Sequence, residues 1–410
     1  MSKKGSNAAQ PTPGGSATTI IQGGRVVTPF RVLERGTITI RDGRIVDVSG
    51  GEHAPLSGEA IIHAEGLTVA PGLIDIHVHG AVGYDTMDAT PEAIQAMSRF
   101  FARHGVTSFL PTTMTANRED TLAAIQNVTR CLGPCPGGAE VLGLHLEGPY
   151  VNESQAGAQL VSAIRPAGRE EYEAFFQAGP VRLITLAPEA QGSRELISYA
   201  LARGAAVSIG HSQASFEEVL EAVALGASQA THTFNGMPPL HHRQPGIVGA
   251  VLSCDDLRAQ LIVDLVHIHP AVVKFVVRAK GLERTILVTD AMRAAGLSDG
   301  LYELGGQAVT VKRGEARLAS GRLAGSTLTL ERAVGNVMGA AQLPLEQALQ
   351  MATITPAQSL GLAPDLGRGL AERKGGLESG KDADVILLDD KLEVVLTMVR
   401  GEVVYRRERA

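Results

Sequence analysis

The stretch Ala70–Gly83 reads A-P-G-L-I-D-I-H-V-H-G-A-V-G. Its apolar and β-prone residues lead straight into His77-x-His79. Side chains two apart on a strand share a face, so the two imidazoles leave the strand's end together, and Gly80 lets the backbone turn away. Paired imidazoles suit a divalent metal, although the spacing alone also fits a chance His pair on a strand.

Working outward, residues 73–289 alternate strand with helix. Strands are expected at Leu73–His77, Thr107–Pro111, Val141–Leu146, Val181–Ala187, Ala205–Ile209, Ser228–His232, Ala259–Asp264 and Thr285–Thr289. Between them, Thr90-Pro91-Glu92 and Ser215-Phe216-Glu217-Glu218 carry helix-start signals, with Gly105 and Gly226 as stops. A third helix is expected over Pro270–Lys280 and a fourth over Thr327–Ala341. Eight such units read as an α/β fold, a (β/α)8 TIM barrel, with a doubly wound sheet as the alternative. Tyr302–Arg322 reads as a hairpin-like insertion.

Both ends differ in texture. Residues 1–17 are rich in Gly, Pro, Ser and Ala and read as a disordered arm. Thr18–Val69 carries short strands with an Asp42-Gly43 hairpin signal, read as antiparallel. Strands also recur at 383–390, 392–399 and 401–406. The expected organisation is a β-sandwich domain from 18–69 plus 377–410 around a barrel at 70–376.

The net charge of −6 offers no basic footprint for nucleic acid. No apolar run is long enough to span a membrane, and no apolar segment follows Lys3-Lys4, so a cytoplasmic location is expected. Three cysteines, Cys131, Cys135 and Cys254, do not make a disulfide framework. Cys131-x3-Cys135 is either half a zinc site or an exposed loop.

Barrel chemistry sits at the C-terminal ends of strands. His77, His79, Glu147, His211, His232 and Asp290 occupy the ends of five expected strands. Singly, each has a structural reading, as a turn histidine, an ion-pair partner or a helix cap. Together they form a metal-competent set. His145 reads as core or as support behind the site.

P-G-L-I-D-I-H-V-H-G, H-L-E-G-P-Y-V-N, S-I-G-H-S, T-H-T-F-N-G-M-P-P-L-H-H-R-Q-P-G, L-V-T-D-A-M and L-A-G-S-T-L-T-L together resemble the N-acetylglucosamine-6-phosphate deacetylase family of the amidohydrolase superfamily. The resemblance covers roughly residues 18–406. It implies metal-dependent hydrolysis of an N-acetyl amino-sugar phosphate to acetate and the free amine. Glu147, His211 and His232 match the ligands of the metal that binds the nucleophilic water, His77 and His79 a second metal position, and Asp290 the acid/base. One or two divalent ions are implied, zinc or iron first among several compatible metals. Asn235, Gly236, Arg243 and His267 match phosphate-holding positions, and Ala324, Gly325 and Ser326 a loop lining the substrate. The resemblance also implies a homodimer in which Arg243 reaches the neighbouring active site. Where some members carry Gly-Ala-His, this chain has Gly157-Ala158-Gln159, with Ala158 and Gln159 expected to face substrate. Gln cannot carry charge there, which leaves the preferred amino sugar open. The alternatives are an N-acetylgalactosamine-6-phosphate or other N-acyl deacetylase, and a non-catalytic scaffold.

Overall fold

The computed structural model describes residues 18–408 apart from 29–30, 52, 55, 361 and 364–367. The arm expected over 1–17 lies outside the described residues.

Helices form where their caps are written. Thr90 accepts the Ala93 N–H ahead of Pro91–Arg103, which buries Ile94, Met97 and Phe101. Ser215 and Glu218 form a reciprocal capping box on Phe216–Leu225, ended by left-handed Gly226. The His269 side chain caps Pro270–Lys280. The helix expected from Thr327 begins at Leu330, with Thr329 as its N-cap.

Both ends of the chain meet in one eight-stranded sheet. Its order is Glu402–Arg406, Val394–Val399, Val385–Leu388, Thr68–Pro71, Thr18–Val27, Val32–Arg41, Arg44–Gly50, and Glu59–His63 also pairs with Thr18–Val27. The antiparallel expectation needs correcting. Thr18–Val27 pairs antiparallel with Val32–Arg41 but parallel with Glu59–His63 and Thr68–Pro71, because the chain crosses back over the sheet after its hairpin. The hairpin itself turns at Asp42 and Gly43, both at positive φ, the geometry of a two-residue turn matched to strand twist. Ile21, Val26, Ile38, Val385, Leu387 and Met398 fill this sheet's core.

Gly72 carries the chain directly from this sheet into the parallel strands; a Cβ there would overlap the Thr107 side chain. Leu73–Val78, Val106–Pro111 and Glu140–Val141 form one parallel sheet. Leu144–Glu147, Val181–Leu186, Ala206–Ile209, Gln229–Ala230, Arg258–Ile262 and Thr285–Val288 form another. The strand expected over Val141–Leu146 is therefore two pieces. Gly143, at φ +148°, bends the chain between them, so Val141 stays with Phe109 while Leu144 moves to Val181. Single parallel bridges connect the sheets at both seams, Thr112 to His145 and Val78 to Ala291. At the second seam the buried Asp75 carboxylate accepts the Thr289 hydroxyl at 2.5 Å. Burial pushes that carboxyl up to about 6.

The hairpin expected at Tyr302–Arg322 is a three-stranded antiparallel sheet, Gly300–Leu304, Gln307–Lys312 and Glu315–Leu318. A second tight turn at Arg313-Gly314, both at positive φ, adds the third strand. Among the described residues no helix is long and apolar enough to cross a membrane.

One buried ion cluster ties the terminal sheet to the parallel strands. Lys374 Nζ lies 2.6 Å from both Glu140 and Asp384 and 3.4 Å from Asp382. Burial opposes the ammonium's charge, but the three carboxylates outweigh it and hold it above its usual range. Asp382 also holds Arg373 at 2.6 Å and Glu140 has Arg400 at 4.0 Å, so Lys374→Met leaves Asp384 buried without a counter-charge and Glu140 with only a distant one, which costs about 3–5 kcal/mol of stability. Without the ammonium their folded-state pKa values rise, so the missing stability grows as pH rises. Urea unfolding is expected to show a larger deficit at pH 8 than at pH 5.

Candidate active site

The six metal-competent side chains meet at the C-terminal ends of the parallel strands. Glu147 closes Leu144–Glu147, and His77 lies at the end of Leu73–Val78 with His79 just beyond. His211, His232 and Asp290 each lie two residues beyond a strand, at φ values of +47°, +29° and +48°. Left-handed backbone at non-glycine residues is costly and gathers at functional sites. It turns these side chains out of the strand direction and into one buried cluster.

Glu147 is the hub. Its Oε1 lies 3.3 Å from His211 Nε2, 3.3 Å from His232 Nε2 and 3.5 Å from His77 Nε2; its Oε2 lies 3.3 Å from His79 Nε2. Asp290 Oδ1 stands 3.2 Å from His79 Nε2 and 3.5 Å from His77 Nε2.

The remaining ring nitrogens fix the tautomers. His211 Nδ1 meets the Gln155 carbonyl at 2.8 Å, and His232 Nδ1 meets the Asn235 carbonyl at 3.0 Å. A carbonyl only accepts, so each Nδ1 bears the hydrogen and the neutral ring's lone pair sits on Nε2. Those two Nε2 atoms face each other at 3.1 Å. Opposed lone pairs beside a carboxylate oxygen that lacks a hydrogen bond, Glu147 Oε1, repel unless a cation lies among them. The donor set fits a divalent metal. Two triads offer atoms within 4.8 Å of one another, Glu147–His211–His232 and His77–His79–Glu147, with Glu147 common to both. A third group, Glu140–Asp382–Asp384, surrounds Lys374, which already supplies its positive charge.

Electrostatics follow the same geometry. Burial opposes charge on His79, but Asp290 and Glu147 outweigh it and hold the imidazole well above its usual value. Burial works against His211 too, and Glu147 raises it. Burial and the neighbouring His211 lower His232. Glu147 is held well below the carboxylate range because His77 and the other imidazoles outweigh its burial. Asp290 is lowered to about 2, its burial outweighed by His77 and His79. His145 is not part of the cluster's donor set. It packs edge-on against the His77 ring and bonds Thr185 Oγ1 at 2.7 Å, and burial pushes it well below its usual value.

Above the cluster opens a cleft of about 480 Å³, lined among others by Ala158, Gln159, Asn235, Gly236, His267 and Gly325, a size that suits a small-molecule ligand. His267 is oriented by Asp264 Oδ2, 2.7 Å from its Nδ1. Three expected substrate positions fall elsewhere. Ala324 is buried in the core beneath the inserted sheet. Ser326 faces inward, its hydroxyl donating to the Thr289 carbonyl and its N–H to the Asp290 carbonyl. Arg243 is exposed, does not line this cleft, and lies 2.8 Å from His242. Gln159 lines the cleft, yet its amide is engaged with Glu147 and Thr115. Sequence reasoning missed Met114, Gln155, Met237, Leu304 and Arg322 on the lining. Only Arg322 carried a signal, as a cation beside Leu-Ala-Gly-Ser. The cysteines are free thiols, and Cys135 is buried rather than in an exposed loop.

Residues 68–404 match the amidohydrolase family. The chain belongs to that family. This amidohydrolase is 39% identical over 372 residues to N-acetylglucosamine-6-phosphate deacetylase of Lysinibacillus sphaericus, covering 90% of this chain and 93% of the relative. It is 36% identical over 388 residues to N-acetylgalactosamine-6-phosphate deacetylase of Escherichia coli O157:H7, covering 94% and 99%. A solved structure of a mutant N-acetyl-D-glucosamine-6-phosphate deacetylase from Mycobacterium smegmatis, in complex with N-acetyl-D-glucosamine-6-phosphate, superposes with TM-score 0.86 at 31% identity, covering 95% of this chain and 99% of that one.

Because Glu147 belongs to both triads, Glu147→Ala is expected to lose bound divalent metal entirely. His79→Ala leaves the Glu147–His211–His232 triad whole and is expected to retain one ion. Elemental analysis of the purified amidohydrolase variants checks both outcomes.

Proposed function

We propose that this chain hydrolyses the acetamide of N-acetyl-D-glucosamine 6-phosphate, releasing acetate and D-glucosamine 6-phosphate, in amino-sugar breakdown or recycling. One observation carries the reading: two opposed imidazole nitrogens and a shared carboxylate lie on the floor of a small-molecule cleft, with Asp290 beside them. The named relatives supply the substrate class.

Glu147, His211 and His232 hold the principal cation in this reading, and His77 with His79 hold a second; zinc or iron fits the nitrogen and oxygen donors. A cation there supplies a more acidic water and a polarised acetyl carbonyl. Asp290 stays ionised at neutral pH. It takes the proton of the attacking water and passes it to the departing amide nitrogen, so the amine leaves neutral. Asn235, Gly236 and His267 hold the sugar phosphate. Arg243, which does not line its own cleft, reaches the active site of a second subunit in a homodimer. The Arg322 guanidinium makes no hydrogen bond or ion pair among the described residues and adds positive charge on the chain's own side.

The architecture proposed for this chemistry is a (β/α)8 barrel over 70–376, beside a β-sandwich from 18–69 and 377–410. The bridges at Val78–Ala291 and Thr112–His145 support closure of the two parallel sheets into one ring. We place the protein in the cytoplasm, which accords with its three free thiols.

The galactosamine epimer is the second reading, favoured by the Escherichia coli relative. Relative kcat/KM on the two phosphorylated epimers separates them. Acetate release from N-acetylglucosamine-6-phosphate by metal-loaded protein tests the main reading, and absence of release from either epimer overturns it. Asp290→Asn is expected to lower kcat about 10²–10⁴-fold while bound metal persists. Arg243→Ala is expected to raise KM for the phosphorylated substrate and leave KM for its unphosphorylated counterpart unchanged.

A further inference from the structure

We propose that Gln159 is a positioning residue, whose amide locks the Glu147 carboxylate with Oε1 turned toward His211 and His232, and so sets how tightly that triad holds its cation. The proposal rests on the metal reading above and adds a residue to it.

Gln159 is buried, with 2% of its surface exposed. Its Nε2 donates to Glu147 Oε2 at 2.7 Å, and its Oε1 accepts the Thr115 backbone N–H at 2.7 Å. The second contact settles the amide's orientation. A backbone N–H only donates, so the atom facing Thr115 is the oxygen, and the atom facing Glu147 is the nitrogen. The amide cannot flip without placing two donors together at Thr115 and two acceptors together at Glu147.

A free glutamate carboxylate turns readily about its last torsion and presents either oxygen. Here Oε2 is engaged by Gln159, and Oε1, the oxygen without a hydrogen bond, points at the two opposed nitrogens. A hydrogen bond to a charged acceptor is strong and directional. Partners behind the ligands of a metal orient them, and their loss costs about 10–100-fold in affinity or activity.

The loop bearing Gln159 is itself held. The Gln159 N–H donates to the Ala156 carbonyl. Gln307, from the inserted three-stranded sheet, donates its side-chain amide to the Ala158 carbonyl at 2.7 Å. The insertion thus braces the loop that braces Glu147.

The test compares wild type, Gln159→Met and Gln159→His, with zinc affinity measured by competition against a chromogenic chelator. Gln159→Met keeps the length and loses both hydrogen bonds. It is expected to bind zinc about 10–100-fold more weakly, with a lower kcat and an unchanged KM at saturating zinc. A neutral histidine retains one acceptor and one donor, so Gln159→His is expected to recover most of the affinity. Thermal unfolding of the metal-free proteins shows separately that each variant folds. Wild-type affinity in Gln159→Met overturns the proposal, as does a rise in KM with affinity and kcat unchanged, which marks a substrate contact. Gln159→His no tighter than Gln159→Met also overturns it. Failure of wild type to bind zinc or release acetate tells against the deacetylase reading instead.

Discussion

A single carboxylate, Glu147, is the constraint on which the site depends. It stands among four imidazoles whose Nε2 atoms lie within 3.5 Å of its oxygens. Such an arrangement is unfavourable in an apolar interior unless positive charge is supplied. Protons can supply it, as the raised His79 and His211 values show, and a metal can supply it by displacing them. The site is therefore built for a cation, and its affinity for one is coupled to pH.

Holding that cluster requires strain and support. His211, His232 and Asp290 sit in left-handed backbone, and the Gln155 and Asn235 carbonyls pin two of the rings. Below them, His145 stays neutral on a chain of threonine hydroxyls, Thr185 and Thr231 among them. At one seam, Asp75 ties the strand of His77 to Thr289, one residue before Asp290. These hydrogen bonds come from residues outside the six-residue donor set.

Much of this was legible in the sequence. The i, i+2 spacing of His77 and His79 and the strand-end placement of the other four donors follow from periodicity and turn signals alone, and the helix caps at Thr90 and Ser215 were visible as residue types. What was not legible depended on contacts between distant segments. Gly143 splits one expected strand, with Val141 paired to Phe109 and Leu144 paired to Val181 across the sheet. The parallel pairing of Thr18–Val27 reflects a crossover that no local pattern encodes. Ser326 sits in a loop of the right character yet turns inward. Gln159 looked like a substrate contact because the partners that engage it, Glu147 and the Thr115 N–H, come from elsewhere in the chain.

In the proposed reading Glu147, His211 and His232 enclose the principal cation. Crystals grown with manganese or zinc and measured at the metal's absorption edge test it most directly. An anomalous peak is expected at roughly 2.0–2.2 Å from Glu147 Oε1, His211 Nε2 and His232 Nε2, with any second peak beside His77 and His79. A metal-loaded crystal with its principal peak elsewhere, or with none at this triad, contradicts it.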